Sequence, residues 1–245
     1  MDRQKLETLL DGCVPLVYKN VTGSTNDDAK QLVRDGCVPV LVVAGRQTGG
    51  RGRRGNSFLS PEGGIYMTLA MSEPRDTSTL ELLTSFVGVC VCEALEEVHG
   101  LEAGIKWVND VYVDGCKLAG ILVERVTSVL AIGVGINVHE VPKLNDSVRA
   151  TALAEYVRTP CAEVLCANIA RRLVAYIRDG IDAESTVATC RERSVLLGHK
   201  VCFVYEGSMR YGIASDVDDD GALIVQIGEE FVRLTSAAHE IRLVE

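Results

Sequence analysis

The dipeptide Asp114-Gly115 limits the folds open to this chain more than any other feature. It separates two β-rich runs, residues 104–113 and 116–126. A two-residue Asp-Gly loop suits the left-handed backbone of a tight hairpin turn, whose twist matches that of paired strands. The chain must therefore double back here, and residues 129–138 supply a third strand to complete a meander. Other elements arrange themselves around this unit. Residues 16–21 read as a strand, and Ser24 or Thr25 can cap the helical pattern of Ala29, Leu32 and Val33 that Gly36 ends. Residues 39–44 and 65–71 read as strands, and 80–98 as a helix stopped by Gly100. Helical patterns also cover 1–10, 162–178 and 183–195.

After Gly198 the texture changes to five short β-rich runs at 200–205, 209–217, 222–227, 231–235 and 240–244, separated by tight turns. The expected architecture is an α/β domain over 1–197, a mixed sheet with helices, followed by a small β-barrel over 198–245. Asp216, Asp218, Asp219 and Asp220 lack the full spacing of a Ca²⁺ loop and read as a solvated hairpin tip.

Composition narrows the function classes. A net charge of −9 argues against attraction of the whole protein to nucleic acid or anionic membrane. The longest apolar stretch, 86–92, is too short to span a bilayer. Nine cysteines at irregular spacing read as buried reduced thiols, so a soluble cytoplasmic protein is expected.

Four constellations stand out. Gly50-Arg51-Gly52-Arg53-Arg54-Gly55 matches the dinucleotide fingerprint by letters, but the fingerprint needs a helix to open from the glycines. Asn56-Ser57-Phe58-Leu59-Ser60-Pro61 follows, and no helix starts there. A single copy between two strands is also unlike the repeated Arg-Gly tails that bind RNA. Arg46, Arg51, Arg53 and Arg54 lie within nine residues without an acid, on an acidic protein. Mobile glycine backbone beside guanidinium forks suits an anion-binding loop better than a merely solvated one. Lys106-Trp107-Val108-Asn109-Asp110 ends a strand and alone reads as a core tryptophan with flanking charges. Lys117-Leu118-Ala119-Gly120-Ile121-Leu122 follows the turn, which brings Lys117 alongside Asn109 and Asp110. Gly133-Val134-Gly135-Ile136-Asn137 puts two glycines in a strand, as a close ligand approach requires.

In this order and spacing, Ser24-Thr25-Asn26, Gly45-Arg46-Gln47-Thr48, the Arg-Gly loop, KWVND, KLAGILVE and GVGINV resemble the biotin protein ligases. The resemblance covers the whole chain. Val108 stands where that family usually has proline, and Phe58 where it usually has tryptophan. It implies a fold like the class II aminoacyl-tRNA synthetases, ending in an SH3-like barrel. It also implies two-step chemistry. Biotin and ATP, with Mg²⁺, give biotinyl-5′-AMP and pyrophosphate, and a lysine of a biotin carboxyl carrier protein then displaces AMP.

By carry-over, Ser24, Thr25, Asn26, Gln47, Gly50, Arg51, Gly52, Arg53, Lys117 and Gly120 should bind biotin. Arg51, Arg53, Arg54, Phe58, Lys106, Trp107, Asn109 and Asn137 should bind ATP or the adenylate. Lys117, Arg53 and Asp110 should be catalytic, Asp110 either holding Mg²⁺ or orienting the acceptor lysine. Residues 46–56 should act as a lid over the water-labile anhydride. About fifteen residues precede the first strand, too few for the DNA-binding domain of many bacterial members. The expectation is a ligase that acts as monomer or homodimer without DNA or membrane. A lipoate–protein ligase is the nearest rival, and a turnover-free biotin- or nucleotide-binding module the second.

Overall fold

The computed structural model describes residues 1–73, 80–141, 149–235 and 241–244. Seven strands form the larger sheet: β1 (Leu16–Thr22), β2 (Val40–Gln47), β3 (Ile65–Ser72), β4 (Gly104–Lys106), β5 (Asp110–Val113), β6 (Cys116–Val126) and β7 (Val129–Ile136). Their order is β1-β2-β3-β7-β6-β5-β4. Only β1 and β2 pair in parallel, because helix α2 (Thr25–Arg34) between them serves as the crossover that parallel neighbours require. The Asp114-Gly115 turn joins β5 to β6 as an antiparallel hairpin, with Val113 opposite Cys116. Both turn residues have positive φ, 48° and 73°, as such a loop demands.

Val40 to Ala44 are buried on both faces, which explains why the run is apolar throughout rather than alternating. Leu41 and Val43 join the main core, while Val40 and Val42 pack with Ala29 of α2 on the opposite face. Helices α3 (Leu83–His99) and α4 (Ala162–Asp179) cover the main-core face, and α1 (Arg3–Leu10) packs on α4. All nine cysteines are free thiols. Burial pushes Cys92, Cys166 and Cys190 up to about 12, which keeps them protonated. No helix among the described residues is long and apolar enough to cross a membrane.

Two expectations about the larger domain need correction. Residues 104–113 form two short strands, with Lys106 paired to Asp110 across a turn made by Trp107, Val108 and Asn109. The pleat breaks because Trp107 and Val108 turn away into a second hydrophobic core with Val201, Phe203 and Val225. The helix expected over 183–195 ends earlier, as α5 (Ala183–Glu192), and the chain then pairs with β4. Ile105 N–H donates to Arg193 O at 2.7 Å, and Val195 N–H donates to Ile105 O at 3.0 Å.

The second core belongs to the smaller sheet, β8 (Lys200–Tyr205), β9 (Ser208–Val217), β10 (Leu223–Ile227), β11 (Glu230–Leu234) and β12 (Ile241–Leu243). Its five antiparallel strands run in the order β11-β10-β9-β8-β12. Among the described residues β11 and β12 are unpaired edges, so this is a small SH3-like sheet rather than a closed barrel. Glu240, the expected start of the last strand, lies outside the described residues.

The acidic tip before β10 is a turn, as expected. Asp218 accepts from the N–H groups of Asp220 and Ala222 at 3.1 and 2.9 Å, and Arg233 pairs with it. Trp107 ties the two sheets together, its indole N–H donating to Gly221 O at 2.8 Å. Trp107→Ala is expected to lower stability by about 3–5 kcal/mol in urea unfolding, from lost apolar burial and the cavity left behind. A loss under about 1 kcal/mol would show that the indole is not the tie.

Candidate active site

A cavity of ≈ 610 Å³ opens where the N-terminus of α2, the end of β2, the Arg-Gly loop, the β4–β5 turn, β6 and β7 converge. Ile241, Arg242 and Leu243 of β12 complete its wall from the smaller sheet. Each contributing element is placed by its pairing. The β5–β6 register sets Asp110 opposite Gly120, and the β6–β7 register sets Gly120 opposite Gly135.

One end of the cavity is polar and buried. Ser24, Thr25 and Asn26 are each 4% exposed. Ser24 is the N-cap by backbone geometry but makes no side-chain cap bond, so the capping expected of it is not realised through its hydroxyl. The N–H and hydroxyl of Thr25 both donate to Gln47 Oε1, at 2.8 and 3.1 Å. Gln47 Nε2 donates to Ser60 Oγ at 2.8 Å. Thr68, fully buried on β3, donates to Asn26 Oδ1 at 2.6 Å, and Asn26 Nδ2 donates to Glu124 Oε2 at 2.9 Å. Burial alone opposes ionisation of Glu124. Hydrogen bonds from Asn26 and Lys30, with the charges of Lys30 and Arg51, outweigh it and hold the carboxyl below its ordinary value.

The other end is charged. Lys117 Nζ donates to Asp110 Oδ1 at 2.6 Å, and Asn109 Nδ2 reaches the same oxygen at 3.2 Å. Arg53 Nη1 donates to Asn109 Oδ1 at 3.3 Å. Burial lowers the pKa of Arg53, the neighbouring Arg54 lowers it further, and Asp110 opposes both. Lys106 Nζ donates to the Tyr112 hydroxyl at 3.3 Å, and burial followed by the Asp110 charge pushes that phenol well up, so it stays neutral.

The Arg-Gly loop folds back on itself. Gly52 N–H donates to Asn56 O at 2.7 Å, and Phe58 N–H donates to Gly50 O at 2.9 Å. A 3₁₀ turn (Arg53–Gly55) lies between, with Arg54 at φ 57°. This agrees with the exclusion of a helix after the glycines. Arg51 points across to α2, where it pairs with Asp27. The loop delivers the Phe58 ring onto β6 and β7. A Cβ at Gly120 would stand 3.0 Å from Phe58 Cε2, and one at Gly135 only 2.5 Å from Cε1. The strand glycines, expected to admit a ligand, therefore already admit an aromatic ring of the protein, and Gly133 likewise admits the Asn26 amide.

Most of the expected residues line this one cavity, including Arg51, Gly52, Arg53, Arg54, Lys106 and Gly120, but Gly50 and Asn137 do not. Gly50 is buried beneath the loop, where a Cβ would stand 2.5 Å from Ser60 Oγ. Asn137 is 4% exposed, its Nδ2 donating to Thr151 O at 3.0 Å and its Oδ1 lacking a partner. Trp107 borders the cavity, but its indole is committed to the second core and to Gly221. Thr68, Glu124, Lys30 and Tyr112 were not singled out from the sequence. A lone threonine inside IYMTLAM was a usable signal, whereas Arg149 and Arg242, which also line the cavity, carried none.

Residues 19–139 match the Biotin/lipoate A/B protein ligase family. The bifunctional ligase/repressor BirA of Bacillus subtilis is 31% identical over 242 residues, which covers 92% of this chain and 74% of that one. The biotin–[acetyl-CoA-carboxylase] ligase of Mycobacterium tuberculosis is 31% identical over 231 residues, covering 91% and 86%. The chain belongs to the biotin protein ligase family. Among solved structures, the biotin protein ligase from Aquifex aeolicus in complex with biotin and ATP aligns with a TM-score of 0.79 at 26% identity, covering 94% of this chain and 99% of that one. This family member thus shares both layers of that fold, the mixed sheet and the small antiparallel sheet.

Gly135→Ala should displace the Phe58 ring and cost about 1–3 kcal/mol in chemical denaturation, as overpacking does. In a Phe58→Ala background the same substitution should cost much less, and equal costs in the two backgrounds would show that the ring is not the obstacle.

Proposed function

We infer that this cavity activates biotin with ATP and passes it to a lysine of a carrier protein. The observation that carries the reading is the placing of two cationic side chains, Lys117 and Arg53, at the charged end of a cavity whose other end is a buried polar pocket. Biotin has a ureido ring at one end and a carboxylate at the other. The Ser24–Asn26 and Gln47 groups suit the ring, and the cations suit the carboxylate. An analogue lacking the ring would leave these buried groups unpaired, which disfavours it strongly.

Chemistry follows from charge. The carboxylate oxygen attacks the α-phosphorus of ATP, forming the acyl–phosphate bond and expelling pyrophosphate. Both reacting groups are anionic, so approach is unfavourable without cations between them. Lys117 stands there in our reading, oriented by Asp110, and Arg53 closes from the loop. The amine of the acceptor lysine then attacks the acyl carbon, AMP leaves, and an amide remains. No covalent link to the enzyme is needed, so catalysis is positioning and electrostatics.

Asp110 is suited to orient Lys117, beside the two roles expected of it, holding Mg²⁺ or orienting the acceptor lysine. Its Oδ1 is already engaged by the Lys117 ammonium. Phe58, which lines the cavity over Gly120 and Gly135, suits the adenine ring. We assign the 198–245 segment a share of the same cavity through Arg242, and read it as a C-terminal unit of the ligase.

Pyrophosphate release with ATP, Mg²⁺ and biotin tests the reading. Lys117→Ala should lower the rate at least about 100-fold, the scale of losing one pre-organised charge in the transition state. Release with lipoate and not with biotin would overturn the substrate, and biotin binding without release would leave only a binding module.

A further inference from the structure

Hydrogen-bond capacity can be counted exhaustively at Asn26. Its amide has two N–H donors and one oxygen with two lone pairs. One N–H goes to Glu124 Oε2 at 2.9 Å and Nδ2 also meets Leu122 O at 3.4 Å, so both donors are engaged by the protein. The oxygen takes the Thr68 hydroxyl at 2.6 Å, which leaves it one lone pair. Asn26 can therefore face a ligand only as an acceptor. Gln47 is fixed the opposite way. Its oxygen receives two bonds from Thr25 and one N–H goes to Ser60, which leaves one N–H as a donor.

What fixes the Asn26 amide is a carboxylate outside the set of expected ligand contacts. Glu124 has two equivalent oxygens, and Lys30 Nζ binds both, at 2.9 and 3.0 Å. Oε2 meets Lys30 and Asn26 at once and Oε1 meets Lys30 alone, so the carboxylate satisfies Lys30 with both oxygens and still presents an acceptor to Asn26. We propose that Glu124, held by Lys30, is a positioning residue that locks Asn26 as an acceptor for a ureido N–H and so sets specificity for the biotin ring. The proposal rests on the reading of the cavity as a biotin site.

Glu124→Gln makes the consequence testable because it keeps size and shape. A glutamine has one oxygen, and Lys30 meets both carboxylate positions, so in either orientation its NH₂ stands against the ammonium and the side chain must turn. The acceptor that held the Asn26 amide is then lost or replaced by a donor, and the amide is free to turn a donor toward the ureido N–H. Exchanging the two groups, Asn26→Asp with Glu124→Gln, restores an acceptor at position 26 with the same total charge. Asn26→Asp alone sets two carboxylates against each other.

The experiment measures steady-state pyrophosphate release and equilibrium biotin binding for wild type, both single variants and the double variant. Each single variant should raise KM and Kd for biotin at least about tenfold, with kcat and the KM for ATP changed far less. The double variant should recover biotin affinity to within about threefold of wild type. Unchanged biotin affinity in Glu124→Gln, or a double variant as weak as the singles, overturns the proposal. So does a parallel rise in both KM values, since that marks general damage to the fold. A wild-type protein that neither binds nor activates biotin defeats the underlying reading instead, and is recognised before any variant is compared.

Discussion

Strands β3 and β7 are covered on both faces, so any polar side chain they carry or touch must find its partner inside the protein. Apolar residues meet this condition without cost, and β7 is buried along its whole length. Thr68 on β3 does not, being polar and fully buried. Its hydroxyl therefore recruits Asn26 from α2, Asn26 recruits Glu124 from β6, and Glu124 recruits Lys30 back on α2. The buried sheet thus draws a polar chain from β3 through α2 to β6, and the polar end of the cavity is built on it. Partly satisfied networks are costly in low dielectric, whereas complete ones fix one arrangement.

The charged end follows another logic. The β4–β5 turn must hold Asn109 and Asp110 still, although turns are usually the mobile parts of a fold. Trp107 resolves this by burying its ring in the core of the smaller sheet and donating to Gly221. The small sheet is consequently more than an appendage. It anchors the turn that orients Lys117, and its last strand contributes Arg242 to the cavity wall. Arg191 of α5 adds a surface tie to Asp216 at 2.8 Å, although an exposed pair of this kind contributes little by itself.

Much of this was legible beforehand, and the legible parts share a cause. Strands and helices with strong periodicity, the Asp114-Gly115 turn and the five short β-runs depend on neighbours in sequence. The order of motifs fixed the family. The errors also share a cause. Trp107 and Val108 read as part of a strand because their apolar character fits a pleat, and nothing local reveals a second core some hundred residues later. The helix over 183–195 was overextended because its last residues pair with β4, a long-range contact that outweighs helical propensity.

The sequence by itself determined the element types, the turn chemistry, and the residue kinds that line the two ends of the cavity. It could not determine direction. Whether the Asn26 amide donates or accepts, whether strand glycines admit a ligand or the Phe58 ring, and whether Asp110 is free or engaged by Lys117 all depend on groups far apart in the chain. Hydrogen-bond polarity and close approach are set by three-dimensional neighbours, so only the tertiary structure decided them.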